Sequence, residues 1–436
     1  MIIKEPVSRI YNYFLMSEGI STDSRNVIEN SIFFSLKGHN FDGNSYAIEA
    51  LEKGAKFAVI DDNKIDHASD NIILVEDCLE ALQELAKYHR SKLDIPVIGI
   101  TGSNGKTTTK NLLYEVLSTK YKTYATKGNL NNHIGVPLSV LEIDNTYDIA
   151  IIEMGASGVG EIEQLSTICN PTSGLITNIS SAHIKGFKNI EGVVRGKSEL
   201  FDFLIKTEGD VFINNNDSII NNFSKRFKTP LLLFGKNSIL STTLLQSVPN
   251  IILQIGENKK VVSNLFGDYN YENIVFALSI GKHYGVTEES ASLAIRNFFP
   301  IDNRSQSIKV KSNTVLLDAY NANPASMSNA IESLSNFNKN RIAILGDMLE
   351  LGDISKYEHE KIGRFILDLK IEKVFFVGSR MKNAFLNCKK SYWYDNKKDL
   401  EMELKNTVIK ESVVLIKGSR SLKLESLLSV IEKISI

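Results

Sequence analysis

The stretch ITGSNGKTTT, residues 100–109, follows the apolar run IPVIGI and opens the helix-like KNLLYEVLSTKY. A strand that ends in a glycine-bearing turn and enters a helix aims free backbone N–H groups above the helix N-terminus, where phosphate is favoured. Gly102, Ser103, Asn104 and Gly105 supply the turn, Lys106 the cation for the β/γ-phosphates, and Thr107, beside Thr108, a hydroxyl for Mg²⁺. The loop is compressed. A full-length phosphate loop would put its first glycine at Ile100. Two later residues suit the same centre. Glu153 closes the apolar run DIAIIEM, which would bring a carboxylate to the ligand-binding edge of a parallel sheet. His183 follows the run SGLITNI in the same way. Each has a plainer reading, Glu153 as a cap of the next turn and His183 as a structural histidine.

The elements that must position these groups read as strand and helix in alternation. SIFFSL (31–36), FAVI (57–60) and IILV (72–75) predict short strands, and Asp77 predicts the N-cap of a helix carrying Leu79, Leu82, Leu85 and Ala86. SKLDIP (91–96) reads as a linker. From there TYAT, DIAIIEM, SGLITNI, DVFIN, LLLFG and IILQIG are continuous apolar runs, as in a parallel sheet covered on both faces. After NFFPIDNRSQ (297–306), which has the Pro and Asn of a domain exit, the alternation restarts with TVLLDA, RIAILG, KVFFVG and SVVLIKG. That predicts a second doubly wound unit, smaller than the first.

A length of 436 residues suggests three domains at about 150 residues each. With 43% hydrophobic and 23% charged residues, each can bury a core. A net charge of −1 argues against nucleic acid as a partner. Cys78, Cys169 and Cys388 lack metal or disulfide spacing, which predicts free thiols in a reducing compartment. No leader-like start is visible, and no run reaches the roughly 18 apolar residues of a membrane span. The expectation is a cytoplasmic protein without stable membrane insertion.

These pieces resemble the Mur ligase superfamily, ATP-dependent ligases with a short T-G-x-N-G-K-T loop. The likeness extends over nearly all of the chain through TDSR (22–25), FFSLKGHNFDGNSY (33–46), GNLNNHIGVPLS (128–139), EMGA (153–156), NISSAHI (178–184), GKSELF (196–201), NRSQ (303–306), DAYNANPASM (318–327), ILGDMLELG (344–352) and KGSRSLKLE (417–425). It implies an α/β chain of three domains: a small α/β UDP-binding domain over 1–93, a central P-loop ATPase with a mostly parallel sheet over 94–302, and a C-terminal Rossmann-like ligase domain over 303–436.

Carried over residue by residue, the resemblance implies that the loop holds ATP and that Thr107 and Glu153 hold one Mg²⁺. His183 would serve a second Mg²⁺ together with Lys197, which the family commonly carries as a carbamate; a surface helical lysine is the plainer reading. Asn273 would contact adenine, with Asn270 beside it as a contact or a helix cap. Arg304 would lie near the phosphates and Asp318 near the ribose. Asn131 and Asn132 would meet the nucleotide-peptide near its reacting carboxylate. The resemblance implies that Ser24, Arg25 and Lys37 bind the UDP end, although from the residues alone a helix-entry turn and a hairpin loop are the favoured reading of those segments.

Tyr320, Asn321 and Asn323 in YNANP are typical of the dipeptide-adding branch, and the D-N-P-R motif of the single-amino-acid branch is not seen. The implied substrates are UDP-N-acetylmuramoyl-tripeptide and D-alanyl-D-alanine, joined by a monomer. Two alternatives stay open: a sibling ligase adding diaminopimelate or lysine, and a nucleotide switch without catalysis. Asp347, Glu350 and His359 fall in a strand-end loop expected to face the cleft, with no role assigned.

Overall fold

The computed structural model describes residues 6–65, 70–235 and 237–436. The first segment builds a four-stranded parallel sheet in the order β1 (Ile20–Ser21), β2 (Ile32–Phe34), β3 (Phe57–Ile60) and β4 (Ile72–Leu74). The helix Cys78–Arg90 follows, and Asp77 caps it as expected, accepting the Glu80 N–H at 2.8 Å.

The expected linker is held firmly. Arg90 is buried, and its guanidinium donates to the carbonyl oxygens of Leu93 (2.7 Å), Cys169 (3.0 Å), Ile95 (3.2 Å) and Asn170 (3.2 Å). Carbonyl oxygens satisfy its donors without a carboxylate. One hydrophobic core therefore runs from Ile32 and Leu82 of the first sheet layer into Val97, Ala150 and Leu200 of the next.

The central sheet has six strands: β5 (Val97–Thr101), β6 (Thr123–Ala125), β7 (Ile149–Glu153), β8 (Ser173–Ile176), β9 (Asp210–Ile213) and β10 (Leu231–Leu232). Their spatial order is β10-β9-β8-β5-β7-β6, and all pairs are parallel. The first strand, β5, lies between β7 and β8, so the winding reverses there. That switch point opens a crevice at the carboxyl ends of the strands.

IILQIG does not join this sheet. It forms the middle of an antiparallel three-stranded sheet, Thr242–Gln246, Ile252–Ile255 and Lys259–Val262. The helix Asp268–His283 follows and is buried from Asn273 to Gly281. It packs on the helix Lys106–Leu117, and a Cβ at Gly281 would stand 2.4 Å from Val116.

The C-terminal sheet also has six strands, so it is not smaller in strand number. Its members are β11 (Gln306–Val310), β12 (Asn313–Asp318), β13 (Asn340–Gly346), β14 (Lys373–Val377), β15 (Ser391–Tyr394) and β16 (Ser412–Lys417), in the order β11-β12-β16-β13-β14-β15. Only β11 is antiparallel to its neighbour. The adjacent strands β12, β16 and β13 thus send the loops after Asp318, Lys417 and Gly346 to one edge. Phe266 and Tyr269 of the preceding segment pack into this domain's core, which fixes that edge over the central crevice. The three cysteines are free and buried.

Candidate active site

The phosphate loop is held in shape by its glycines and by the strand beside it. Gly102 has φ 142° and Gly105 φ 81°, values that side-chain-bearing residues rarely adopt. A Cβ at Gly102 would fall 2.0 Å from the Thr177 hydroxyl, and one at Gly105 would fall 2.5 Å from Asn273 Oδ1. The Ser103 N–H donates to the Asn178 carbonyl at 2.9 Å, and the Asn104 N–H to Asn178 Oδ1 at 3.1 Å. Lys106 opens the helix and folds its Nζ back onto the carbonyls of Gly102 (2.7 Å) and Ser103 (3.4 Å). Desolvation lowers its pKa while the Glu153 charge opposes that shift.

Glu153 is the last residue of β7 and is buried. Its Oε1 accepts from the Thr107 hydroxyl at 3.1 Å and from Asn131 Nδ2 at 2.7 Å. Its Oε2 has no hydrogen-bond partner among the described residues, and the Lys110 ammonium stands 3.9 Å away. Lys110 is itself buried, spends a donor on the Thr126 carbonyl at 2.6 Å, and has its pKa lowered by desolvation. A buried carboxylate oxygen without a partner is costly unless something completes it. The set of Glu153 Oε2 and the Thr107 hydroxyl fits Mg²⁺, a hard cation that takes oxygen ligands. Among the described residues no three His, Cys, Asp or Glu side chains converge on one point. A cation here would lean on phosphate oxygens, as Mg²⁺ commonly does. Glu153 caps no turn with its side chain.

His183 sits in the left-handed region at φ 53° and places Nδ1 2.6 Å from Glu350 Oε2, across the gap to the C-terminal domain. The contact leaves Nε2 open and holds the Glu350 carboxyl below the usual carboxylate range. Lys197 is 1% exposed, which rules out the surface reading. Its Nζ donates to the Ala156 carbonyl at 3.2 Å and lies 5.4 Å from the Phe187 ring centroid, and no carboxylate among the described residues forms an ion pair with it. Burial, helped by the Lys106 charge, lowers its pKa well below the lysine range.

Asn273 is buried in the same helix as Asn270. Its Oδ1 accepts from the Thr109 hydroxyl (3.1 Å), and its Nδ2 donates to Asn270 Oδ1 (2.9 Å). Asn270 does not cap the helix. That helix starts at Asp268 from Gly267, and Asn270 Nδ2 instead donates to the Phe266 carbonyl at 2.9 Å. Asn132 Oδ1 accepts the N–H groups of Ile134 (3.1 Å) and Gly135 (2.8 Å), so its side chain shapes the entry to Gly135–Leu141.

From the C-terminal domain, Arg304 lies 3.5 Å over the Tyr320 ring and has a buried Nε without a hydrogen-bond partner among the described residues. Asp318 binds Lys417 Nζ at 2.5 Å and accepts the Ser305 N–H at 3.1 Å. Asn321 Oδ1 accepts the N–H of Ala322 at 2.9 Å. Asn323 donates to Asn104 Oδ1 at 2.7 Å. Together these groups line a cleft of about 470 Å³ that holds Ser103 to Thr108, Asn131, Asn132, Glu153, His183, Asn273, Arg304, Asp318, Tyr320, Asn321 and Asn323. Lys197 stands outside the lining, behind Ala156.

Ser24, Arg25 and Lys37 also stand apart from the cleft. Arg25 pairs with Asp23 at 2.7 Å, Lys37 with Asp61 at 2.7 Å, and the Ser24 carbonyl accepts from Lys53 at 2.9 Å. Lys37 belongs to a short hairpin, Lys37–Gly38 with Phe41–Asp42. Sequence reasoning passed over Lys110 and Lys417, and it sent Glu350 toward the cleft without assigning it a role. Lys110 is one helical turn after Lys106, and Lys417 ends an apolar strand as Glu153 does, so both carried a readable signal. Asp347 and His359 shape the loop that carries Glu350. The Met348 N–H donates to His359 Nε2 at 3.1 Å, and the Met381 N–H to Asp347 Oδ1 at 2.8 Å.

Comparison with known families matches residues 17–90 to the Mur ligase family, catalytic domain. Residues 100–281 match the Mur ligase middle domain and 303–420 the Mur ligase, glutamate ligase domain. The UDP-N-acetylmuramoyl-tripeptide–D-alanyl-D-alanine ligase of Bacillus subtilis is 36% identical over 427 residues, covering 94% of this chain and 92% of that protein. Among solved structures, MurF from Acinetobacter baumannii superposes with a TM-score of 0.89 at 27% identity, over 98% of each chain. The MurF ligase from Thermotoga maritima in complex with ADP gives 0.86 at 28% identity, over 96% of this chain and 98% of that one.

Proposed function

The chain belongs to the Mur ligase family, and from that premise we infer its reaction: ATP-dependent joining of D-alanyl-D-alanine to the peptide carboxylate of UDP-N-acetylmuramoyl-tripeptide. The product serves peptidoglycan precursor synthesis. The observation that carries this reading is the meeting of the phosphate loop with the YNANP segment, Asn104 to Asn323 at 2.7 Å. It supports the reading because the glycine loop and the YNANP segment line one cleft.

Phosphoryl transfer asks mainly for alignment and charge neutralisation. The loop amides from Gly102 to Thr108 and the Lys106 ammonium would cradle the ATP phosphates, Arg304 would add a second cation, and Asn273 and Asp318 would hold adenine and ribose. Lys106 is at hand, since its present partners are carbonyls that a phosphate would outbid. Thr107 and Glu153 would hold one Mg²⁺; His183, through its open Nε2, and Lys197 as a carbamate would serve a second. Bound there, Mg²⁺ supplies neutralisation of the transferring phosphoryl group.

The tripeptide carboxylate, steered by Asn131 and Asn132, attacks the γ-phosphorus and the bond to ADP breaks. The dipeptide amine then attacks the acyl carbon, phosphate leaves, and an amide remains. Closure of the C-terminal domain keeps water from the acyl phosphate. Ser24, Arg25 and Lys37 would grip the UDP end, and Tyr320, Asn321 and Asn323 the dipeptide side. We place the domain limits at 93/94 and 302/303, the latter supported by left-handed φ values of 58° at Asp302 and 56° at Asn303. The reaction needs one copy of the chain, so a monomer working in the cytoplasm fits it. Among the described residues, no helix is long and apolar enough to cross a membrane.

The test is phosphate release from ATP with UDP-N-acetylmuramoyl-tripeptide and a panel of D-Ala-D-Ala, D-Ala, L-Lys and meso-diaminopimelate. Release that requires D-Ala-D-Ala, with a product heavier by one dipeptide residue, upholds the reading. Release driven by a single amino acid on the dipeptide precursor would move the chain to a sibling reaction.

A further inference from the structure

A dipeptide substrate is a zwitterion, and two groups of opposite charge sit on the loops that the C-terminal sheet delivers to the cleft. Glu350 follows β13, and Arg420 follows β16, its neighbour in the sheet. The two loops are tied together: the Leu349 N–H donates to the Ser419 hydroxyl at 3.0 Å, and the Ser419 N–H to the Asp347 carbonyl at 3.1 Å. Glu350 is held in the left-handed region at φ 64°, a strained conformation for a glutamate that directs it into the cleft lining. One of its oxygens meets His183, and the other accepts no hydrogen bond from a described residue.

Arg420 is exposed. Its guanidinium carbon lies 5.0 Å from the centroid of Tyr320, and its Nη1 donates to the Tyr320 hydroxyl at 3.2 Å. Stacking and that bond fix the fork while leaving donors open, and no acidic residue among the described ones pairs with it. The cations that line the cleft from this domain are Lys417 and Arg304. Lys417 is committed to Asp318, and Arg304 lies over the same Tyr320 ring, 3.5 Å from its centroid.

We propose that Glu350 and Arg420 form the two ends of the dipeptide subsite, the Glu350 carboxylate anchoring the substrate ammonium and the Arg420 guanidinium its terminal carboxylate. The proposal rests on the ligase reading and adds to it the recognition of both charged ends. It makes Arg420 a specificity determinant: a dipeptide whose terminal carboxylate is masked loses its partner, and an open guanidinium is left facing a neutral amide.

The experiment compares kcat/KM for D-Ala-D-Ala with that for its C-terminal amide in wild type, Arg420→Met and Arg420→Lys. Wild type should favour the free acid by about 10- to 100-fold, the range for a lost hydrogen bond to a charged group. Arg420→Met should bring the ratio close to one, with Arg420→Lys between. Glu350→Gln should raise KM for the dipeptide by about tenfold or more while KM for ATP moves by less than about threefold. An acid-to-amide ratio in Arg420→Met equal to the wild-type ratio would overturn the carboxylate anchor, and an unchanged dipeptide KM in Glu350→Gln the ammonium anchor. A wild-type protein that ligates neither form would overturn the ligase reading itself.

Discussion

Asn323 joins two jobs in one side chain: its Nδ2 donates to Asn104 Oδ1 in the phosphate loop at 2.7 Å, and its Oδ1 accepts the Ser326 N–H at 2.9 Å as the cap of the helix Pro324–Ser335. The contact spans the cleft, so the state of the phosphate loop and the position of the C-terminal domain are mechanically linked.

Two substitutions separate these jobs. Asn323→Ala should lose both, with about 1 kcal/mol of stability gone with the cap. Asn323→Ser keeps a capping hydroxyl but cannot reach Asn104. It should melt close to wild type, yet show a kcat lowered about tenfold, as expected when a group that positions a closing domain is removed. Thermal melts paired with steady-state phosphate release check both halves.

Lys106→Ala should abolish ligation, lowering kcat by about 10³-fold or more, because a preorganised charge at the transferring phosphoryl group is removed. The fold should persist, since among the described residues the lysine's only hydrogen-bond partners are the carbonyls of Gly102 and Ser103. Circular dichroism alongside activity separates the two effects.

Glu153→Gln should raise the Mg²⁺ concentration for half-maximal activity by about tenfold or more, because a neutral amide replaces the carboxylate whose Oε2 has no hydrogen-bond partner among the described residues. It also leaves the Lys110 ammonium, 3.9 Å from that oxygen, without its counter-charge. Calorimetric titration of Mg²⁺ with ADP gives a readout independent of turnover, and the affinity should fall in parallel.

Lys197 supplies a pH dependence. Burial holds its pKa well below the lysine range, so between that value and about 10.4 the unfolded chain binds a proton that the folded chain does not. Stability contributed at this site therefore rises with pH across that window and is least at its acidic end. Lys197→Met removes the dependence. In CO₂-depleted buffer it should melt about 2–4 °C above wild type at pH 6, with the gap closing toward pH 9. The neutral amine is also the form that reacts with CO₂, so a ¹³C carbamate resonance should grow in wild type with labelled bicarbonate at pH 8 and be missing from the variant.

What could be read from the chain, and what could not, divides along sequence distance. The Asp77 cap, the loop glycines and the carboxylate at the end of β7 are local patterns, and each sits where its neighbours in sequence put it. The strands Gln306–Val310 and Ser391–Tyr394 passed unread because they are short, half-polar edge segments whose pairing depends on a partner elsewhere. IILQIG has the composition of a central strand, yet its hydrogen bonds go to antiparallel neighbours within the same stretch. Glu350 falls in a loop that the sequence sends toward the cleft, but nothing local names its partner. Its role rests on His183, which lies in another domain and meets it only after both sheets have formed. The burial of Lys197 was equally silent, since an amphipathic helix displays the same residue types on either face until a partner covers one.

The central claim is that this cleft activates a carboxylate by phosphorylation and passes it to a dipeptide. It is tested most directly with UDP-N-acetylmuramoyl-tripeptide carrying ¹⁸O in its terminal peptide carboxylate, incubated with ATP, Mg²⁺ and D-Ala-D-Ala. The account expects released phosphate to carry one ¹⁸O atom for each amide formed, with no label in ADP. Amide formation with unlabelled phosphate, or release of phosphate whose labelling is indifferent to the dipeptide, would contradict it.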